Sequence, residues 1–280
     1  MEDLLILSKS VLESIKDTTL FYPCSGNDLL IPIEFFSPYV TDFWFVDKGY
    51  FSPRNKDTRN YGLDAPADKQ EPLLRMDQRY NLLERKINGP VSCSSYDKDI
   101  DPCTLTEIYR HNPTGRIIKI NRRNGYGFSA FRKEISTLGV FFYRGDSLGE
   151  GGSGNLWLLN EHINDVCLKL IDVGLIVSDG SNPGMRMRKK GIYREFWKYR
   201  ETGAYSEENY DPEYLIKSMR SFNDYGGREF NCVGYAGHRY GPTMIWQVCN
   251  TLGNYDRNSS NVINELMNDL EEKNLIQQNQ

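Results

Sequence analysis

The sequence predicts an α/β protein with a mostly parallel sheet that ends in an antiparallel hairpin. Three observations carry this expectation. Short apolar runs recur that are continuous rather than alternating, as in strands covered on both faces. Segments with apolar residues at helical spacing lie between them. Four of the runs finish at or beside a carboxylate, namely Asp28, Asp47, Asp146 and Asp179.

Residues 2–16 read as an amphipathic helix, because Leu4, Leu7, Val11 and Ile15 share one face. Leu20, Phe21 and Tyr22 form a strand that Pro23 stops. Residues 29–36 suit a short helix with Pro32 in its first turn, where a missing N–H costs nothing. Phe43, Trp44, Phe45 and Val46 make the next strand, ended by Asp47. Residues 51–137 interrupt this rhythm and read as an insertion within a single domain of residues 1–280. The insertion opens with a polar, punctuated loop. Leu73, Met76, Tyr80, Leu83 and Ile87 then keep a helical period. LTEIYRH and RIIKINRR flank an Asn-Pro-Thr-Gly turn and predict an antiparallel hairpin or meander running on to FSAF.

LGVFFYRGD is a further strand, followed by the glycine-rich stretch SLGEGGSGN and a helix marked by Leu156, Leu159, Ile163, Val166 and Leu170. GLIVSD is a strand ending at Asp179. Residues 213–222 read as helical, FNCVGY and TMIWQV as paired strands, and residues 262–276 as a closing amphipathic helix.

Composition narrows the function classes. The chain has 280 residues, a net charge of −4 and 12% aromatic residues, which is the make-up of a folded domain rather than a disordered one. Six cysteines form no CxxC pair, and three scattered histidines add no ligand cluster, so no zinc site of Cys and His is expected. The acidic start and short apolar run of MEDLLILSKS do not fit a secretory signal, and no apolar run is long enough to span a membrane. These features point to a cytoplasmic protein with reduced thiols.

The strand ends are where chemistry is expected, because ligands of parallel sheets sit outside the carboxyl ends of strands. Gly26 and Asp47 are 21 residues apart. A small-residue turn followed by an acid at the end of the next strand suits a nucleoside, with backbone close to the ligand and a carboxylate for ribose hydroxyls. YPCSGND has one glycine and is no pyrophosphate cradle. The same residues also read as an ordinary turn in which Asp28 caps a helix and Asp47 merely ends a strand.

With FYPCSGND, FWFVD, FFYRGDS, LKLIDVGLIVSDGSN and the FNCVGY/TMIWQV pair in these positions, residues 1–50 and 138–250 resemble a divergent class I, Rossmann-like, S-adenosylmethionine-dependent methyltransferase. The resemblance implies a three-layer sandwich. It implies S-adenosylmethionine at the ends of strands one, two and four, held by Tyr22, Pro23, Cys24, Ser25, Gly26, Asn27, Asp47 and Asp146. No Asp-Pro-Pro-Tyr or Asn-Pro-Pro-Tyr follows the fourth strand, so methylation of a base amino group is not implied.

The stretch after Asp146 supplies further candidates. Asp146 and Glu150 are candidate general bases, or holders of a divalent metal. Gly151, Gly152, Ser153, Asp179 and Asn182 are candidate substrate contacts, since backbone N–H groups in such loops can cradle an anion. A flexible loop whose Ser153 or Asn155 caps the next helix is the plain alternative.

Charge is unevenly spread. Residues 110–133 hold seven Lys/Arg and no acid, and residues 185–200 hold seven against Glu195, both interleaved with aromatics. Cations with stacking rings suit nucleotide or nucleic-acid contact, although a half-buried strand explains RIIKINRR equally well. Three readings follow: a methyltransferase with an open acceptor, a non-enzymatic nucleic-acid-binding protein, and a metal-dependent nucleotide enzyme using Asp28, Asp146 and Asp179.

Overall fold

The computed structural model describes residues 4–52, 63–92, 102–144, 161–179, 212–218, 222–223, 228–238 and 242–250. The chain divides into two compact units, one of residues 15–143 and one joining residues 1–14 to residues 144–280. In chain order the elements are β1 (Leu5–Ile6), α1 (Lys9–Ser14), β2 (Thr19–Pro23), α2 (Leu30–Phe36), β3 (Asp42–Asp47), β4 (Tyr80–Asn88), β5 (Thr104–His111), β6 (Arg116–Asn124), α3 (Gly127–Glu134) and β7 (Leu138–Tyr143). They continue with α4 (Glu161–Lys169), β8 (Leu170–Asp179), α5 (Pro212–Ser218), β9 (Phe222–Asn223), β10 (Arg228–His238) and β11 (Pro242–Asn250).

The pairings overturn the mostly parallel sandwich. Within the two units, β2–β3, β2–β7 and β3–β6 pair in parallel. The pairs β4–β5, β5–β6, β8–β11, β10–β11, β1–β10 and β9–β10 are antiparallel. The sheet is mixed and mostly antiparallel, with few and short helices. The physical reason is that a continuous apolar run reports burial on both faces, not the direction of the neighbouring strand.

In the unit of residues 15–143 the strand order is β7-β2-β3-β6-β5-β4. The apolar runs of β2, β3 and β7 form its core: Leu20, Phe21, Phe43, Phe45, Val46, Val140, Phe141 and Phe142 are all buried. Phe21 packs on Phe131 of α3 and on Phe141, with ring centroids 5.3 and 6.2 Å apart. On β6, Ile118 and Ile120 are buried and Ile117 is exposed, the alternation expected of a half-buried strand. The Asn-Pro-Thr-Gly turn joins β5 to β6 as expected. Gly115 adopts φ +70 and donates its N–H to His111 O at 2.8 Å.

Three local expectations fail. The helix expected across Leu73 to Ile87 is replaced by turns and by β4, in which Leu82 and Leu83 are exposed. FSAF lies in α3 rather than in a meander. The helix expected over residues 2–16 is reduced to α1, preceded by β1, which pairs with β10 through Leu5–Tyr235 and Ile6–Gly234. In the unit of residues 1–14 and 144–280 the order is β8-β11-β10-β1, with β9 also paired to β10. The β10–β11 hairpin is where the sequence places it. The helix expected over residues 262–276 lies outside the described residues.

Candidate functional site

Adjacent parallel strands bring the ends of β2 and β3 side by side. β2 stops at Pro23, and the chain turns through Cys24 at φ +54 and Gly26 at φ +52. Ser25 N–H donates to Val46 O at 3.3 Å, fastening the turn to β3. Asp47 then gathers the backbone around it. Its Oδ2 accepts from Gly26 N–H at 3.0 Å and its Oδ1 from Gly49 N–H at 2.7 Å. Its carbonyl oxygen accepts from Gly125 N–H at 3.2 Å, at the end of β6. One residue thus ties three strand ends together.

Tyr50 locks the same turn from beneath. Its hydroxyl donates to Gly26 O at 2.5 Å. A phenol has one proton, so the 2.8 Å contact with Ser25 Oγ has the serine as donor. Burial is the main cause that holds the Tyr50 phenol well above its ordinary pKa, and the nearby Asp47 carboxylate adds to it. Asn124 Nδ2 donates to Lys48 O at 3.1 Å and to Tyr50 O, fixing the segment after β3. The buried Asn124 Oδ1 has no hydrogen-bond partner among the described residues. Two residues further along the chain, Tyr126 is 38% exposed, and Lys48 Nζ stands 4.3 Å from its ring centroid.

The expected contact residues divide by burial. Ser25 is buried, Cys24, Gly26 and Asp47 are half-buried, and Asn27 is exposed. Tyr22 and Pro23 belong to the core. The Tyr22 ring packs on Phe142 at 4.8 Å, and its hydroxyl donates to Asp28 Oδ2 at 2.9 Å. Asp28 does not cap α2 as the alternative reading has it: Leu29 holds the N-cap position before Leu30, and no side-chain capping bond is made there. Asp179 is the last residue of β8, with its backbone opposite Thr243. Asp146, Glu150, Gly151, Gly152, Ser153 and Asn182 lie outside the described residues. Gly49 and Tyr50 are not among the sequence candidates, and Asn124 and Tyr126 enter only through the cationic, aromatic stretch of residues 110–133. The only sequence signal for Gly49 and Tyr50 is their place just after Asp47.

The cationic segment of residues 110–133 is not one exposed stripe. Arg122 and Arg123 are buried. Arg116 pairs with Asp17 at 2.5 Å and donates to Tyr39 O at 2.6 Å. Lys119 lies 3.7 Å from Asp42 and over the Trp44 ring. Arg110, Arg132 and Lys133 are exposed. Residues 185–200 lie outside the described residues. His111 borders the β5–β6 turn as expected, sharing a hydrogen bond with Thr114 Oγ1 at 2.8 Å.

Inside the unit, Glu107 sits between two arginines. Its Oε1 is 3.3 Å from Arg85 Nε and its Oε2 is 3.5 Å from Arg122 Nη2. These are ion pairs without hydrogen-bond alignment. The bonds that hold Glu107 come from Tyr109 OH at 3.1 Å and Leu73 N–H at 3.2 Å. Arg122 Nη1 donates to Gln70 Oε1 at 2.5 Å.

Among the described residues, no group of His, Cys, Asp and Glu could hold a metal ion, and no disulfide joins two described cysteines. No described helix is long and apolar enough to cross a membrane. No family model, characterised protein or solved structure matches the chain.

Proposed function

We propose that the ends of β2, β3 and β6 form a nucleoside site, and that the chain is an S-adenosylmethionine-dependent methyltransferase. The observation that carries this reading is the Asp47 carboxylate beside Gly26 N–H across a parallel strand pair. Carboxyl ends of adjacent parallel strands are where such ligands bind. Each Asp47 oxygen accepts one backbone N–H, and a carboxylate oxygen can accept more than one hydrogen bond, as a ribose hydroxyl would require. No described atom lies within 4 Å of where a Cβ would stand on Gly26, so a ligand has room to approach. Tyr126, two residues beyond the end of β6, is 38% exposed and supplies an aromatic ring of the kind on which a base can stack.

When bound, the cofactor supplies an electrophilic methyl carbon attached to a sulfonium. The chain's part is to align the acceptor with that carbon and, where the acceptor carries a proton, to remove it. Asp146 and Glu150 are the proposed bases, and Gly151, Gly152, Ser153, Asp179 and Asn182 the proposed acceptor contacts. A cytoplasmic setting suits a chain in which no two described cysteines are joined by a disulfide.

The test is calorimetric titration of the full chain with S-adenosylmethionine. Wild type is expected to bind and Asp47→Ala to lose binding. No binding by wild type, or equal binding by Asp47→Ala, would overturn the reading.

A further inference from the structure

The strand β4 stands at one end of the order β7-β2-β3-β6-β5-β4. It pairs with β5 along one side, and no described strand pairs with its other side. Asn81, Leu82, Leu83, Glu84, Lys86 and Asn88 are exposed on it. An edge of nine residues carrying two exposed leucines invites another strand. Natural edges are commonly blunted by charge, and here the charges are Glu84, Arg85 and Lys86, of alternating sign.

We propose that β4 is a self-association surface, pairing antiparallel with β4 of a second copy about a twofold axis at Arg85. In that register Glu84 faces Lys86 of the second copy, and Lys86 faces Glu84 of the second copy. By residue count Leu83, which sits in the bulge between Leu82 and Glu84, comes opposite Ile87 of the second copy, covering apolar surface that β4 otherwise exposes. Shifting the axis by one residue places Glu84 against Glu84, or Lys86 against Lys86. Like charges directly opposite are unfavourable in a sheet, and each shifted register loses both Glu84–Lys86 pairs as well as gaining a like-charge pair. The register at Arg85 places the two Arg85 residues opposite each other at the axis, but their guanidinium groups are held by acceptors of their own unit. Each turns back into its own unit, with Nη2 donating to Gln70 O at 2.6 Å and Ala67 O at 3.1 Å, and Nε 3.3 Å from Glu107.

Sedimentation velocity of the full chain over a concentration series tests this. Wild type is expected to dimerise. Glu84→Lys and Lys86→Glu are each expected to weaken the dimer by about tenfold, and the double swap E84K/K86E to restore it. A monomer at every concentration, single variants that dimerise like wild type, or a double swap no tighter than the singles would each overturn the proposal. A second readout keeps the wild-type charges. Chains carrying Leu83→Cys and Ile87→Cys are mixed and oxidised, and the expected product is a covalent dimer mapped to positions 83 and 87 by mass spectrometry. Its absence would equally overturn the register.

Discussion

Asp47 Oδ2 accepts the Gly26 N–H at 3.0 Å, joining two residues 21 positions apart at the ends of neighbouring parallel strands. The bond anchors a turn in which both Cys24 and Gly26 adopt positive φ, and it holds a carboxylate at the strand tips.

Asp47→Asn and Asp47→Ala separate these two roles. Alanine removes the acceptors of the Gly26 and Gly49 N–H groups and is expected to lower stability by about 2–3 kcal/mol. Asparagine keeps one acceptor oxygen and should cost about half as much. Both are expected to bind S-adenosylmethionine at least tenfold more weakly, since a carboxylate accepts stronger hydrogen bonds than an amide. Urea unfolding and calorimetry on the same samples check both effects. A stability loss without an affinity loss would make Asp47 structural alone.

Gly26→Ala and Gly139→Ala form a contrasting pair. At Gly26 a Cβ meets nothing within 4 Å, so the cost is the positive φ alone, about 1–2 kcal/mol. That Cβ would stand in the space assigned to the ligand, so binding should fall more than stability does. At Gly139 a Cβ would lie 1.9 Å from Thr18 Oγ1 and 2.6 Å from Thr18 Cβ. Moving Thr18 aside breaks its 2.5 Å bond to Ile15 O. Overpacking there should cost about 1–3 kcal/mol and leave the strand-end site intact. Thermal unfolding of the two variants, with and without S-adenosylmethionine, distinguishes them.

The strand tips were legible where the signal was local. The apolar runs of β2 and β3 and the Gly26-to-Asp47 spacing are visible in the residues themselves. So is the Asn-Pro-Thr-Gly hairpin, because a turn and two flanking alternations lie within one window. Strand direction is a long-range property, and the same burial pattern serves both directions, which is why the parallel expectation failed. β4 was misread for a different reason. A bulge between Leu82 and Glu84 breaks its two-residue period, and exposure on both faces removes the apolar alternation. Leu73, Met76, Tyr80, Leu83 and Ile87 then fit a helix by spacing alone, although Met76 is 85% exposed. Arg122 and Arg123 counted as surface charge because nothing local marks a buried arginine. Their partners, Gln70, Glu107 and Glu134, are brought to them by the fold.

Tyr50→Phe removes one hydroxyl that serves both Gly26 O and Ser25 Oγ, and should cost about 1–2 kcal/mol near neutral pH. It should also change the alkaline limb of stability. The folded phenol is raised well above 10, chiefly by burial, so the unfolded chain ionises first. The contribution of the neutral hydroxyl is therefore complete below about pH 10 and is lost as pH rises beyond it. Tyr109 is also raised by burial and by Glu107, so wild type has more than one source of alkaline loss. Tyr50→Phe is expected to show a shallower decline between about pH 10 and 11 in urea midpoints. An unchanged slope would place the loss at other tyrosines.

Glu107→Gln tests the buried charge cluster. Glu107 is fully buried between Arg85 and Arg122, and burial lowers the Arg122 pKa while Glu107 opposes that shift. Neutralising the acid leaves two cations facing each other with their counter-charge gone. Breaking one side of a buried pair typically costs about 3–5 kcal/mol, whereas replacing the whole group by apolar residues can be nearly neutral. Glu107→Gln should therefore lower the urea midpoint sharply, and Arg122→Met should do so too, because it leaves Gln70 Oε1 without its donor. Combined, the two changes should cost less than the sum of the singles, because the Glu107–Arg122 charges are removed together and only Arg85 still loses its counter-charge. Strict additivity in that double-mutant cycle would mean that Glu107 is held by the Tyr109 hydroxyl and Leu73 N–H rather than by Arg122.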